Sequence, residues 1–206
     1  MIDELCAENG KHKEYFDRIF EALDLSQETI STKIFENCRF INCKFNEVDF
    51  QQCRLCDCRF EGCNLGLIKV KGCSFSNVTF INSKVTGINW TEAVWPRISL
   101  ISSIYFDKCD MSHSTFFGLY LQEISIIECR VHNVDFREAN LTKANLTHSD
   151  FSESLFINSN LTEADFTFAD NYRIDLLTSN ITKAKFILPE AVSLLYGLDI
   201  ELIDPT

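Results

Sequence analysis

Large apolar residues recur at every fifth position through most of this 206-residue chain. Between Asp135 and Phe166 a small or modest residue stands two places before each of these large residues, as Ala139 stands before Leu141. Repetition at a fixed period restricts the fold strongly, because each repeat must pack on its neighbours. The large positions of this stretch are Phe136, Leu141, Leu146, Phe151, Phe156, Leu161 and Phe166.

A period of five fits neither the 3.6-residue repeat of a helix nor the two-residue repeat of a strand. It predicts a chain that turns a corner after every five residues, with one large and one small side chain of each side directed inward. Four such sides close a square coil, and successive coils stack through backbone hydrogen bonds at about 4.8 Å. The sequence therefore predicts an all-β solenoid.

The count of five runs over residues 30–186, with a slip of one residue near 100–106. Of its 32 central positions 31 are apolar, and Asn171 is the exception. We interpret the slip as a small bulge rather than a long loop. The irregular stretch Trp90–Pro96 before it either widens the core around two tryptophans or marks a functional site, as bulges often do.

Both ends of the chain depart from the repeat. Lys13–Leu25 is compatible with an amphipathic helix or with an irregular first coil that caps the core, and we favour the coil. After Pro189, apolar residues at helical and then at alternating spacing predict a short helix followed by a strand. The predicted parts are a cap over residues 1–29, the repeat over 30–187, and a helix–strand cap over 188–206.

Ten cysteines raise the alternatives of disulfides or a zinc site. Eight of them occupy the small inward position, where a free thiol acts as a small buried apolar group. Their five-residue spacing is not the close paired spacing typical of zinc ligands. We therefore expect buried, reduced cysteines and no bound metal. The eight are Cys38, Cys43, Cys53, Cys58, Cys63, Cys73, Cys109 and Cys129.

The acidic start of the chain does not resemble a signal peptide, and no apolar run approaches the ~18 residues of a membrane span. We expect a cytoplasmic protein that does not contact membranes. No glycine-rich phosphate loop and no metalloprotease or hydrolase motif is present, and the four histidines are scattered. The sequence therefore favours a protein that is not an enzyme and carries no cofactor.

Three stretches resemble one family in detail: Thr86–Pro96, Phe116–Leu121 and Asn171–Leu202. Together with the five-residue count they make the chain similar to the pentapeptide-repeat family, whose fold is a right-handed quadrilateral β-helix. The similarity is strongest to the loopless bacterial branch that includes the albicidin-resistance pentapeptide protein. The Qnr-type quinolone-resistance proteins are more distant relatives.

In those relatives the C-terminal segment joins two rods end to end, and the dimer resembles DNA in size and charge. The resemblance implies a non-enzymatic homodimer that mimics DNA, binds DNA gyrase or topoisomerase IV and protects it from poisons, without binding nucleic acid itself. The alternative is a protein-binding scaffold with another partner. A two-fold interface would use the apolar residues of the C-terminal segment, which are Leu194, Leu195, Leu198, Ile200 and Leu202.

The acidity of the chain, net charge −11, lies mainly at its ends. Residues 1–29 carry −5, residues 188–206 carry −4, and the repeat between them carries −2. When residues 20 apart, or 21 across the slip, are counted as neighbours, one face is acidic. We predict that this face binds the partner; the alternative is that its acids only confer solubility. The predicted partner-binding residues are Asp110, Asp150, Asp170, Glu92 and Glu153.

Overall fold

The computed structural model describes residues 5–6, 13–96, 104–198 and 200–203. Short strands and two 3₁₀ helices, Trp90–Glu92 and Glu190–Gly197, make up its regular structure. The strands are β1 (Lys13–Phe16), β2 (Ile19–Glu21), β3 (Thr29–Ser31), β4 (Lys33–Glu36), β5 (Arg39–Ile41), β6 (Asp49–Gln51), β7 (Arg54–Cys56), β8 (Arg59–Glu61), β9 (Ser74–Ser76), β10 (Val78–Ile81), β11 (Ile104–Asp107) and β12 (Ser125–Ile127).

Parallel pairing between residues 20 apart builds the coil. In β5 and β8, for example, Phe40 pairs with Phe60. Single bridges such as Asp150 with Asp170 continue the same ladders where the strands are too short to be assigned. Four five-residue sides make one coil of 20 residues. The fold is therefore the predicted right-handed quadrilateral β-helix.

Most corners of the square are residues in the left-handed backbone region, such as Asn42 with φ of 52° and Leu67 with φ of 60°. This conformation is strained for residues other than glycine. Most of the corner N–H groups are nevertheless satisfied, because they donate to a carbonyl of the next coil. Asn42 N, for instance, donates to Glu61 O at 2.8 Å. The ladder thus holds the strained corners in place.

The large inward side chains stack into columns inside the square. Along one column the ring centroids of Phe40 and Phe60 are 4.5 Å apart, and those of Phe60 and Phe80 are 5.1 Å apart. The spacing of coils at about 4.8 Å gives a rod about 40 Å long for nine such layers. The members of this column are Phe20, Phe40, Phe60, Phe80, Phe106, Ile126, Leu146, Phe166 and Phe186.

The cysteines of the small inward position are buried free thiols, as predicted. Cys38 Sγ lies 3.3 Å from Tyr15 O, and Cys58 Sγ lies 3.4 Å from Phe35 O, each on the preceding coil. The same contact recurs for other thiols of the position. A small polarizable side chain therefore fills the space beside each large residue and also contacts the backbone.

Regular pairing begins earlier than the predicted boundary at residue 30. In β1 Tyr15 pairs with Phe35, and in β2 Phe20 pairs with Phe40. The helical alternative for Lys13–Leu25 is wrong, because these residues continue the five-residue count and stack their aromatic rings on the next coil.

The break in the repeat is larger than the predicted slip of one residue. The segment 97–103 lies outside the described residues, but the pairing on both sides fixes the register. Phe80 of β10 pairs with Phe106 of β11, an offset of 26 residues where most other coils have 20. The break therefore adds six residues, and Trp90 stacks on Phe116, with ring centroids 5.8 Å apart, instead of lying above Met111.

The reason for this error is that a count in fives cannot detect an added group of five. The count assigns Trp95 and Leu100 to two successive sides of the square, and Leu100 lies outside the described residues. In the structure Trp95 does occupy a side, because Val94 pairs with Ser74 and the ring of Trp95 stacks on that of Phe75 with centroids 6.2 Å apart. Its Nε1 donates to Trp90 O at 2.7 Å. The six added residues therefore come between Trp95 and Ile104. Trp90 is fully buried, and Trp95 is partly buried against the core.

The C-terminal end of the rod differs from the prediction in two details. Tyr172, 1% exposed, fills the core position that the count assigned to Asn171, which is exposed. Pro189 precedes the 3₁₀ helix Glu190–Gly197, as predicted. The predicted strand after the helix does not form in the described residues 198 and 200–203, since they pair with no other strand there.

Replacement of Phe136 by Ala tests the core. Phe136 is fully buried, and its ring stacks between those of Phe116 and Phe156 at 5.3 and 5.2 Å. We expect a loss of about 3–5 kcal/mol in the free energy of unfolding, measured by denaturant titration. The control Phe117→Ala removes a half-exposed ring and should cost less than about 1 kcal/mol. A loss below that value for Phe136→Ala would contradict the proposed core.

Candidate partner-binding surfaces

The predicted acidic stripe is interrupted by cations. Bridges between successive coils join Lys84 to Asp110, Asp110 to Arg130, Arg130 to Asp150, and Asp150 to Asp170. The three predicted aspartates therefore do lie in one column, but only Asp150 and Asp170 are neighbours. A continuous negative surface exists only in the last coils of this column.

The two predicted glutamates lie on different sides of the rod. Glu153 forms the corner that directly follows the side of Asp150. Glu92 ends the first 3₁₀ helix, on the side where Asn89 pairs with Thr115. Its assignment to the acidic face is wrong, because the break shifts the later residues by one side of the square relative to Glu92.

Asp150 is the centre of a hydrogen-bond network. Its Oδ1 accepts from Ser152 Oγ at 2.7 Å and from Asn171 Nδ2 at 2.9 Å, and its Oδ2 lies 2.7 Å from His132 Nε2. Arg130 Nε donates to His132 Nδ1 at 3.1 Å, so His132 Nε2 is the donor to the carboxylate. The sequence places Arg130 on this face, but its hydrogen bond to His132 and that of His132 to Asp150 were not predicted, because the spacing of residues does not show side-chain contacts.

The network keeps Asp150 ionised. Burial raises the pKa of the carboxyl, but the hydrogen bonds from Ser152, Asn171 and His132 outweigh it, and the pKa lies well below its usual value. Asn171 also connects this side of the rod to the C-terminal helix, since its backbone N donates to Glu190 Oε1 at 2.8 Å. The last coil and the C-terminal cap are thus held together by polar contacts.

The C-terminal end of the rod exposes apolar side chains. Leu194 is buried against the rod and belongs to the core of one chain, so it supplies little surface to a second copy. Leu195 and Leu198 are half-buried, and Ile200 and Leu202 are exposed by 53% and 47%. Three apolar residues that the prediction omitted are more exposed still: Leu188 at 75%, Tyr196 at 75% and Ile203 at 82%.

Metal-binding clusters and membrane-spanning helices are both absent from the part of the chain that the structure describes. It contains no group of three or more His, Cys, Asp or Glu residues arranged to hold a metal ion. Within the same residues, none of the helices has the length and apolar character that crossing a membrane requires.

The short sides and the inward-facing columns of large residues place this protein in the class of parallel β-solenoids. The family model described as a pentapeptide repeat region matches residues 33–103 and 95–166. The chain therefore belongs to the pentapeptide-repeat family. A search of curated proteins gives no match.

Solved structures with the same fold include full-length QnrB1, a plasmid-mediated fluoroquinolone resistance protein. It is 17% identical, with a TM-score of 0.63 over 91% of this chain and 100% of QnrB1. HetL, a pentapeptide repeat protein involved in heterocyst differentiation regulation from the cyanobacterium Nostoc, is 14% identical, with a TM-score of 0.54 over 85% and 86% of the two chains. At sequence identities this low, the similarity to these structures shows a shared fold only.

The pH dependence of stability tests the Asp150 network. Because its pKa is lower in the folded protein than the ~3.9 of an unfolded chain, the carboxylate stabilises the fold above about pH 4 and loses this effect as the pH falls through the folded pKa. Asp150→Asn should cost about 1 kcal/mol at pH 7, since the side chain is partly exposed, and progressively less below pH 4.

Unfolding by denaturant at pH 7 and pH 3 measures this effect. The control is Glu123→Gln, an exposed acid whose side chain makes no hydrogen bond to described residues. It should change the free energy of unfolding little at either pH. An Asp150→Asn cost that stays constant between pH 7 and pH 3 would rule out the proposed role of the carboxylate.

Proposed function

We propose that this protein is a non-enzymatic homodimer that binds DNA gyrase or topoisomerase IV in place of DNA and protects the enzyme from topoisomerase poisons. The observation that carries the proposal is the exposed apolar end of the rod, formed by Leu188, Tyr196, Ile200, Leu202 and Ile203. Contiguous exposed apolar residues on a soluble protein mark an interaction surface. Two copies joined at this end would form one continuous rod.

The distribution of charge supports binding near the middle of such a dimer. Asp150, Asp170, Glu153 and Glu190 all lie in or next to the last coils, so two joined ends bring both sets of acids together. A groove lined with Lys and Arg, such as a DNA-binding groove, attracts a concentration of this kind. The fold that the chain shares with a fluoroquinolone resistance protein also agrees with the proposal.

The amount of charge limits how far the rod resembles DNA. Duplex DNA carries about one negative charge per 1.7 Å. The net charge of −11 on a rod of about 40 Å is about one charge per 4 Å. Recognition would therefore depend on the acidic middle of the dimer and not on uniform charge along the rod.

A second candidate is a protein-binding scaffold for a different partner. The cations Lys84 and Arg130 within the aspartate column favour this alternative, because they make the side of the rod a mixed surface. The shared fold with HetL shows that the same architecture occurs in a protein described in a different context. The topoisomerase assay below distinguishes the two functions.

The dimer is tested with Ile200→Asp combined with Leu202→Asp. Both side chains are about half exposed in one copy, so the charges should leave the rod folded but disrupt a contact between apolar ends. We expect the wild type to have the mass of a dimer by light scattering and the variant that of a monomer. Leu67→Asp, at an exposed corner of the rod, is the control and should remain dimeric. A wild-type monomer at micromolar concentration would contradict the interface.

Binding to a topoisomerase is tested with purified DNA gyrase. We expect the wild type at micromolar concentration to inhibit supercoiling or to reduce DNA cleavage caused by a fluoroquinolone. Asp170→Lys should weaken this effect about tenfold, because it reverses a charge in the acidic middle of the dimer. The control Glu163→Lys reverses a charge on another side and should have little effect. If neither DNA gyrase nor topoisomerase IV responds to the wild type, the scaffold function is the better account.

A further inference from the structure

An open groove runs along the side of the rod next to the C-terminal helix and shares Tyr196 with the apolar end. Its volume is about 820 Å³, and residues of the last coils and of the helix Glu190–Gly197 line it. Apolar side chains that remain accessible in the single chain form much of its surface. Leu155 is exposed by 42%, Ile157 by 38% and Leu177 by 79%.

The charged residues of the groove are mainly acidic. Glu153, Asp175 and Glu190 line it together with one cation, Arg173, which gives a net charge of −2. Arg173 is exposed and forms no ion pair with any described residue. The groove therefore combines apolar contact area with a negative potential.

We propose that this groove binds a basic and apolar segment of a partner protein, in which Lys or Arg residues alternate with residues such as Leu or Ile. In an extended segment, alternate side chains point to opposite sides. The apolar ones would contact Leu155, Ile157 and Leu177, while the cations would lie near Glu153 and Asp175. Complementary charge fixes the register and the choice of partner, and apolar contact supplies much of the affinity.

The C-terminal tail of a second copy is the other possible occupant, and its charge disfavours it. The tail is apolar at Ile200, Leu202 and Ile203, but it carries Asp199, Glu201 and Asp204 and no cation. Like charges across an interface cost free energy. An acidic tail in an acidic groove would be repelled, whereas a basic segment is attracted.

Fluorescence anisotropy with three labelled decapeptides tests the proposal without a topoisomerase, so its outcome is independent of the proposed function. One peptide alternates Leu and Lys, one alternates Leu and Glu, and one alternates Ser and Lys. We expect the Leu–Lys peptide to bind at least about tenfold more tightly than the other two, because it alone offers both apolar contact and positive charge.

Two variants locate the binding site. Glu153→Lys and Leu177→Ser should each weaken binding of the Leu–Lys peptide about fivefold or more. Glu163→Lys and Leu67→Ser are matched controls: Glu163 is a corner residue with φ of 60°, like Glu153 with φ of 59°, and Leu67 is exposed by 57%. The controls should bind as the wild type does, provided that all four variants unfold at wild-type denaturant concentrations.

Three results would overturn the proposal. Equal binding of the Leu–Lys and Ser–Lys peptides would mean that the acidic protein attracts any cationic peptide. Equal losses of peptide affinity in the groove variants and in the controls would mean that the peptide binds outside the groove. A change of Glu153→Lys or Leu177→Ser from dimer to monomer by light scattering, without a change in peptide affinity, would assign the groove to a second copy of this chain.

Discussion

The backbone ladder between successive coils is the interaction on which the rest of this structure depends. Each coil turns four corners through left-handed residues, most of which are not glycine. These strained positions persist because their N–H groups donate to the next coil, as Asn42 N does to Glu61 O. The ladder also aligns the large side chains into columns, so one pattern of hydrogen bonds fixes the corners, the core and the outward surfaces together.

The sequence predicted the architecture but not the register of its second half. A large residue at every fifth position requires the square coil, and the buried columns confirm it. Where the chain adds six residues after Trp95, however, Leu100 maintains the count of five, so the sequence pattern cannot distinguish an added group of five from a further side. At the C-terminal end Tyr172 fills the core in place of Asn171. The count of five does not predict this replacement, because it depends on how the side chains pack locally.

This register controls which functional surfaces exist. It separates Glu92 from the aspartate column and places Lys84 next to Asp110 in that column. It also concentrates the acidic and apolar features of the rod around its last coils, where the exposed end and the side groove lie. These surfaces could not be derived from the sequence, because their residues come together only through the closing turn after Asp170 and the packing of the C-terminal helix.

Disulfide cross-linking across the break tests the register most directly. Two residues that pair through the backbone on adjacent coils have Cα atoms close enough for a disulfide to join them. In the structure Lys84 pairs with Asp110, whereas a slip of one residue would place it beside Tyr105. Mild oxidation of Lys84→Cys with Asp110→Cys should give a linked peptide by mass spectrometry, and Lys84→Cys with Tyr105→Cys should not. The reverse result would contradict the offset of 26 residues and the surfaces derived from it.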